Sequence, residues 1–306
     1  MDFKELMNTY YPLNEGKIKE LGKAEKSFVK SNSLPLDATP EVIDKAIKSS
    51  DATKRIFAGL HRNSTEAHVG ELLRDHEPSV RAAIAENHPL VTEAQLTNIF
   101  KHDNHPDVIK AAFNNPKVNS KHLDILLDHM PGTARTFEQR QFNTKVLSHR
   151  ALTPAQITHV MTSGNFDNNH VTDVLAHPNS LEEHVALASA PRFVDEHVHM
   201  NAMVHPKLTS AHIHQFIKKH TLGKTAGGYM VGAKAFDSSH IDAMLAKPVT
   251  GNKDNDYHNG KLTGQALSTP HATMEQIKAG MSHKNPYIRE HAELVMKQKV
   301  GTGRTK

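Results

Sequence analysis

The sequence predicts an all-α protein, an α-solenoid of eight to nine short helix-turn-helix repeats of about 28 residues, and three observations predict it. A Pro-like anchor recurs at positions 36, 62, 89, 116, 150, 178, 206, 234 and 270, in steps of 26, 27, 27, 34, 28, 28, 28 and 36. Three residues after the anchor, eight of nine copies carry a helix N-cap residue. Seven residues after it, each copy carries an apolar residue.

The clearest copies are His88 to Leu96, Asn115 to Leu123 and His205 to Ile213. Weaker ones are His61 to Val69, His149 to Ile157, His177 to Val185, Ala233 to Ile241 and Thr269 to Ile277, and a degenerate copy, Leu36 to Ile43, opens the array. The stretch before each anchor has helix-forming composition, as in Val80 to Ala85 and Val108 to Phe113, and ends at a Pro that cannot continue a helix. Four residues before the anchor stand Ala58, Ala85, Ala112, Val146, Val174, Ala202, Met230 and Ala266, apolar and mostly small, as close helix packing requires.

After the anchor, Thr39, Thr65, Thr92, Asn119, Thr153, Thr209, Asp237 and Thr273 offer cap oxygens, and Leu181 breaks the pattern. Three further on come Val42, His68, Gln95, His122, Gln156, His184, His212, His240 and Gln276, the place from which a capping box reaches back to the cap. Residues 1–33, with alternating Lys and Glu around Ile18, Leu21 and Phe28, are expected to form a helical cap on the array, which spans 34–298 and leaves 299–306 as a basic tail. Two long steps imply loops near 130–144 and 250–264, and insertions in repeat arrays tend to fall on the binding face.

The small apolar helix, the Asn-Pro or His-Pro turn, the Thr cap and the second helix resemble the variant leucine-rich repeat, and more loosely HEAT-type arrays, over roughly Pro35 to Lys297. The repeat is shorter than a HEAT unit, and the cysteine cluster of one variant-repeat protein has no counterpart. Similar arrays occur in repeat proteins of large bacteriophages. The resemblance implies a binding surface rather than a catalyst, and a place in the cytoplasm or in a virion.

Composition narrows the chemistry. With no Cys there are no disulfides, thiolate metal sites or cysteine nucleophiles, and with no Trp and few aromatics the core must be aliphatic. No stretch has the apolar length of a membrane span. Ten of the 24 histidines fall in two repeat slots: His61, His88, His149, His177 and His205 before the anchor, and His68, His122, His184, His212 and His240 at the capping place. Recurrence assigns them a structural task, and beside a helix C-terminus a protonated His would complement the dipole. Asp195 to His199 offers metal ligands without an HExxH spacing, and His76-Glu77 stands without the second His-Glu pair that hydroxylases of the HEAT type use. Asp254 and Asp256 lack the glycine and distal glutamate of a calcium loop. No phosphate loop, nucleophile elbow or dinucleotide fingerprint appears.

The expectation is therefore a non-enzymatic protein-interaction scaffold in a larger assembly such as a phage virion, with no catalytic residue, cofactor, metal or membrane. Its partner contacts are expected in the two long loops and the tail, at Arg135, Arg140, Lys253, Tyr257, Lys299 and Arg304. The alternative is a nucleic-acid-binding helical repeat using Lys218, Lys219, Lys224 and Lys234, favoured by a net charge of +4 but opposed by scarce aromatic stacking partners. A metal-dependent enzyme is the third reading.

Overall fold

The computed structural model describes residues 34–35, 37–130, 136–190, 192–219 and 224–302. The expected N-terminal cap, the first anchor at Leu36 and the contacts expected at Arg135 and Arg304 lie outside the described residues. Among the described residues the protein is all helical, with 18 α-helices and no strand.

The chain divides into two compact units, 1–130 and 131–306. The first contains α1 (Pro40–Ala46), α2 (Ala52–Gly59), α3 (Glu66–Leu72), α4 (Pro78–Asn87), α5 (Glu93–His102), α6 (Pro106–Phe113) and α7 (Ser120–His129). The second contains α8 (Phe137–Leu147), α9 (Pro154–Thr162), α10 (Asn168–Leu175), α11 (Glu182–Ala188), α12 (Glu196–Val204), α13 (Ser210–Lys219), α14 (Lys224–Gly232), α15 (Ser238–Leu245), α16 (Lys253–Leu267), α17 (Met274–Met281) and α18 (Pro286–Thr302).

Helices this short are marginal on their own and depend on packing. Within the first unit α4 packs between α2 and α6, and α7 packs on α5. Within the second unit the even-numbered helices pack in succession from α8 to α18, as do the odd-numbered ones from α9 to α17. The apolar slots of the sequence are the core of both units. All eight residues four before the anchor, Ala58 to Ala266, are fully buried, and so are all nine seven after it, from Ile43 to Ile277.

The caps form as the residue types require. Thr65, Thr92, Thr153 and Thr273 accept the amide three residues on at 3.2 to 3.4 Å, while Asn119 and Asp237 accept the amide two residues on at 3.1 and 2.9 Å. In the other direction His68, Gln95, His122, Gln156, His184, His212, His240 and Gln276 each accept the N-cap amide, at 2.7 to 3.2 Å. Leu181 has no oxygen, so α11 keeps only this return half. Thr39 makes no side-chain cap bond, and Val42 at the return position is exposed.

Two boundaries differ from the expectation. The stretch 250–264, expected as a loop, is helix from Lys253 onward, because Asn252 caps α16 by accepting from Asp254 and Asn255 at 3.1 Å. The added residues lengthen that helix to 15 residues instead of widening a turn. Likewise Thr136 caps α8, so 137–144 is helical, and α18 runs past the expected start of the tail to Thr302.

Candidate functional site

The histidines decide what polar chemistry is free, and in both slots they are committed to the fold. In the slot before the anchor, Nδ1 of His61, His88, His149, His177 and His205 accepts the backbone amide two residues on, at 3.0 to 3.2 Å. Asn115 does the same through Oδ1 at 3.0 Å, which identifies these histidines as stand-ins for a turn-forming asparagine. Because a backbone amide can only donate, each Nδ1 is unprotonated. The ring proton is on Nε2, which His61 gives to the Pro35 carbonyl at 2.9 Å and His177 to the His149 carbonyl at 3.2 Å. Asn115 donates likewise to the Ala85 carbonyl at 2.7 Å. In this geometry Nδ1 serves the turn and Nε2 serves the preceding repeat, so the task of these rings is hydrogen bonding within the fold. Burial drives the His88 pKa down to about 4, against the opposing hydrogen bond to the Gly59 carbonyl.

The capping histidines are equally double-sided. Their Nε2 atoms donate backward, His68 to Asp44 at 2.9 Å, His122 to the Glu93 carbonyl at 3.1 Å, His184 to Thr158 Oγ1 at 3.0 Å and His240 to the Ser210 carbonyl at 2.9 Å. Gln276 does the same to the Ser238 carbonyl at 2.8 Å and to Asp242 at 2.7 Å. Long cations add to this lattice, with Lys117 Nζ on the Pro89 and Val91 carbonyls and Lys207 Nζ on the Ser180 carbonyl, each at 2.7 Å. Among the described residues no group of three His, Asp or Glu side chains is placed to hold a metal ion.

The four described contact candidates occupy separate places. Arg140 on α8 pairs with Asp173 on α10 at 3.5 Å. Lys253 and Tyr257 lie on the first turns of α16, where Tyr257 is half exposed and meets Tyr287 of α18 edge to face, with ring centroids 5.0 Å apart. Lys299, near the end of α18, donates to the Ala272 carbonyl in the turn before α17 at 3.3 Å. Nothing among the described residues brings these four together into one site.

Among the described residues of the second unit are surface grooves that the sequence did not announce. One, about 920 Å³, crosses α14 where Gly228 and Gly232 leave its backbone bare, between Val204 and Pro206 on one side and Gln265 on the other, with the half-exposed ring of Tyr229 beside it. Positions equivalent to Gly232 carry Asn87, Ser148 and Val204, so a missing side chain is the only sequence signal for it. Another, about 530 Å³, lies at the C-terminal ends of α13 and α15. His214, Lys218, Lys219 and Lys247 line it together with Thr250 and Asn259, and no described lining residue is a carboxylate. Burial lowers the pKa of Lys247. Lysines at helix C-termini also complement the dipole, a structural task that needs no ligand.

No helix among the described residues is long and apolar enough to cross a membrane. No protein-family model, curated protein sequence or solved structure matches this chain.

Proposed function

We propose that the chain is an α-solenoid of eight to nine helix-turn-helix repeats that works without catalysis, as a protein-interaction scaffold within a larger assembly such as a bacteriophage virion. The observation that supports this reading is the backward hydrogen bonding of three turns onto the repeat before each, from His61 to the Pro35 carbonyl, Asn115 to the Ala85 carbonyl and His177 to the His149 carbonyl. A motif that spends its recurrent polar groups on its own neighbour builds an extended framework and leaves its outer faces to shape and surface complementarity. The recurrent histidines, the most reactive groups of the repeat, are held neutral and occupied, which supports a role other than catalysis. On this reading Arg140, Lys253 and Tyr257 belong to the surface offered to partners.

The groove of Lys218, Lys219 and Lys247 favours a second reading, a phosphate backbone held by a helical repeat. Affinity purification of the tagged full chain from its native source, with and without nuclease, separates the two. A stoichiometric protein partner that survives nuclease supports the scaffold. Complete loss of partners on nuclease treatment, with salt-sensitive retention on duplex DNA or RNA, overturns it in favour of nucleic acid.

A further inference from the structure

We propose that the second unit carries an acid-operated latch, formed where His184, His205 and His212 are held as neutral rings at the junction of α11, α12 and α13. The three side chains come from the start of α11, the end of α12 and the start of α13, and all are buried. Each uses Nδ1 as an acceptor for a backbone amide: Leu181 at 2.7 Å, Lys207 at 3.1 Å and Thr209 at 3.2 Å. His184 also donates from Nε2 to Thr158 on α9 at 3.0 Å, so its ring joins two odd-numbered helices. A second proton on any of these rings would sit on Nδ1 and face an N–H. One protonation therefore costs α11 or α13 its return cap bond, or the turn at 205–207 its own, and sets two donors face to face, with the Ser180 hydroxyl 3.3 Å from His184 Nδ1 and the Thr209 hydroxyl 2.9 Å from His212 Nδ1 as the nearby groups able to turn and accept.

The surrounding charges make the response collective. Lys207, anchored on the Ser180 carbonyl at 2.7 Å, acts on both His184 and His205, and His184 and His212 act on His205. Opposing them are the exposed Glu183, 3.7 Å from His184 Nε2, and Glu182, 4.0 Å from His212 Nε2. Burial still dominates, and all three rings titrate below the ordinary value of 6.5. Folded rings that resist protons which the open chain accepts lend stability that is complete above 6.5 and is lost as the pH falls from there through their depressed values. Because the three rings share one junction, their losses fall on the same contact, and acidification should release α11 from α13 while α16 to α18 remain folded.

Hydrogen exchange of the full chain between neutral and mildly acidic pH, corrected for intrinsic rates, tests this. Amides of 180–217 should lose protection at a higher pH than those of α16 to α18. Simultaneous loss across the second unit, or protection of 180–217 up to global unfolding, overturns the latch. The sequence also supplies the control: Gln already fills the capping slot at 95, 156 and 276, and Asn fills the turn slot at 115. The variant H184Q/H205N/H212Q should keep its protection at neutral pH and shift the local transition downward by at least about half a pH unit. An unchanged transition overturns the proposal. Should that variant fail to fold, nitrogen-resolved NMR titration of the wild-type rings decides, since titration at ordinary values without loss of protection also overturns it.

Discussion

The Arg55 guanidinium holds both oxygens of Asp75, from Nε at 2.7 Å and from Nη2 at 2.9 Å, while its Nη1 donates to the Ser49 carbonyl at 2.8 Å. Arg81 repeats the arrangement two helices on, gripping Asp103 at 2.7 and 3.0 Å and the Asp75 carbonyl at 2.8 Å. Each arginine thus ties its own even-numbered helix to the turn that opens the next one. The Arg55 and Asp75 side chains are 4% and 7% exposed, so either charge alone would be stranded in the interior. Burial pushes the Asp75 pKa up, but the hydrogen bonds from Arg55 and the Glu77 amide outweigh it and leave the net value lowered.

Asp75→Ala should therefore destabilise the first unit by about 3 to 5 kcal/mol, the cost typical of breaking a buried pair. The double variant R55M/D75A should lose clearly less than the sum of the two single changes, because no uncompensated charge remains. Urea unfolding of the four proteins of this cycle checks both statements, and strictly additive losses would show that the pair is not coupled.

The caps allow a sharper comparison. Thr92→Ala removes the oxygen that accepts the Gln95 amide at 3.2 Å and should cost about 1 kcal/mol. His122→Gln should change stability by less than about 0.5 kcal/mol, since Gln276 shows that glutamine can both return to its cap and donate backward. His122→Ala loses both bonds and should cost about 2 kcal/mol. Thermal or denaturant unfolding of the three variants ranks them, and equal losses for Gln and Ala would show that the ring matters for its shape alone.

What was legible in the sequence follows from what recurs. A slot repeated nine times reveals its physics through the residue types it tolerates, and so the cap at Thr92, the return at Gln95 and the buried contacts at Ala85 and Leu96 could all be read before any coordinates. The Arg55 and Arg81 clamps lie 20 and 22 residues from their aspartates and belong to few copies, so no period points to them. The histidines could be placed in their slots but not given their hydrogen bonds, because recurrence does not say which ring nitrogen faces an amide. The stretch around Gly260 and Gly264 read as a loop because the step between anchors is long there, whereas the added residues extend a helix whose two glycines let another helix approach.

That approach makes opposite predictions for one substitution at two sites. A Cβ on Gly264 would lie 2.5 Å from Cγ and 2.6 Å from Cβ of His291, the stem of a side chain on α18 rather than its movable end. Gly264→Ala should therefore cost about 1 to 3 kcal/mol despite the better helix propensity of alanine. At Gly70, inside α3, the nearest atom to an added Cβ is Gln95 Nε2 at 3.9 Å. Gly70→Ala should stabilise the protein by about 0.5 to 1 kcal/mol. A gain at Gly264 would mean that α16 and α18 have room to separate.

His88 gives the pH dependence its clearest single test. It is buried, its Nδ1 accepts the Leu90 amide at 3.0 Å, and burial brings its pKa to about 4 against an ordinary value of 6.5. The open chain binds a proton near 6.5 and the folded chain does not, so the unfolded state holds more protons between these values and stability falls as the solution is acidified. The contribution of this one ring is complete above about 6.5, and about 2 kcal/mol of it should be lost between pH 7 and pH 5. His88→Asn keeps the turn, because Asn115 makes both corresponding bonds, to the Lys117 amide at 3.0 Å and the Ala85 carbonyl at 2.7 Å, and it does not titrate. Denaturant unfolding of both proteins at pH 7 and pH 5 should show similar stability at the higher pH and a loss on acidification smaller by about 2 kcal/mol in the variant. An identical loss in the two proteins would mean that His88 already carries its proton in the folded state, which its contact with the Leu90 amide forbids.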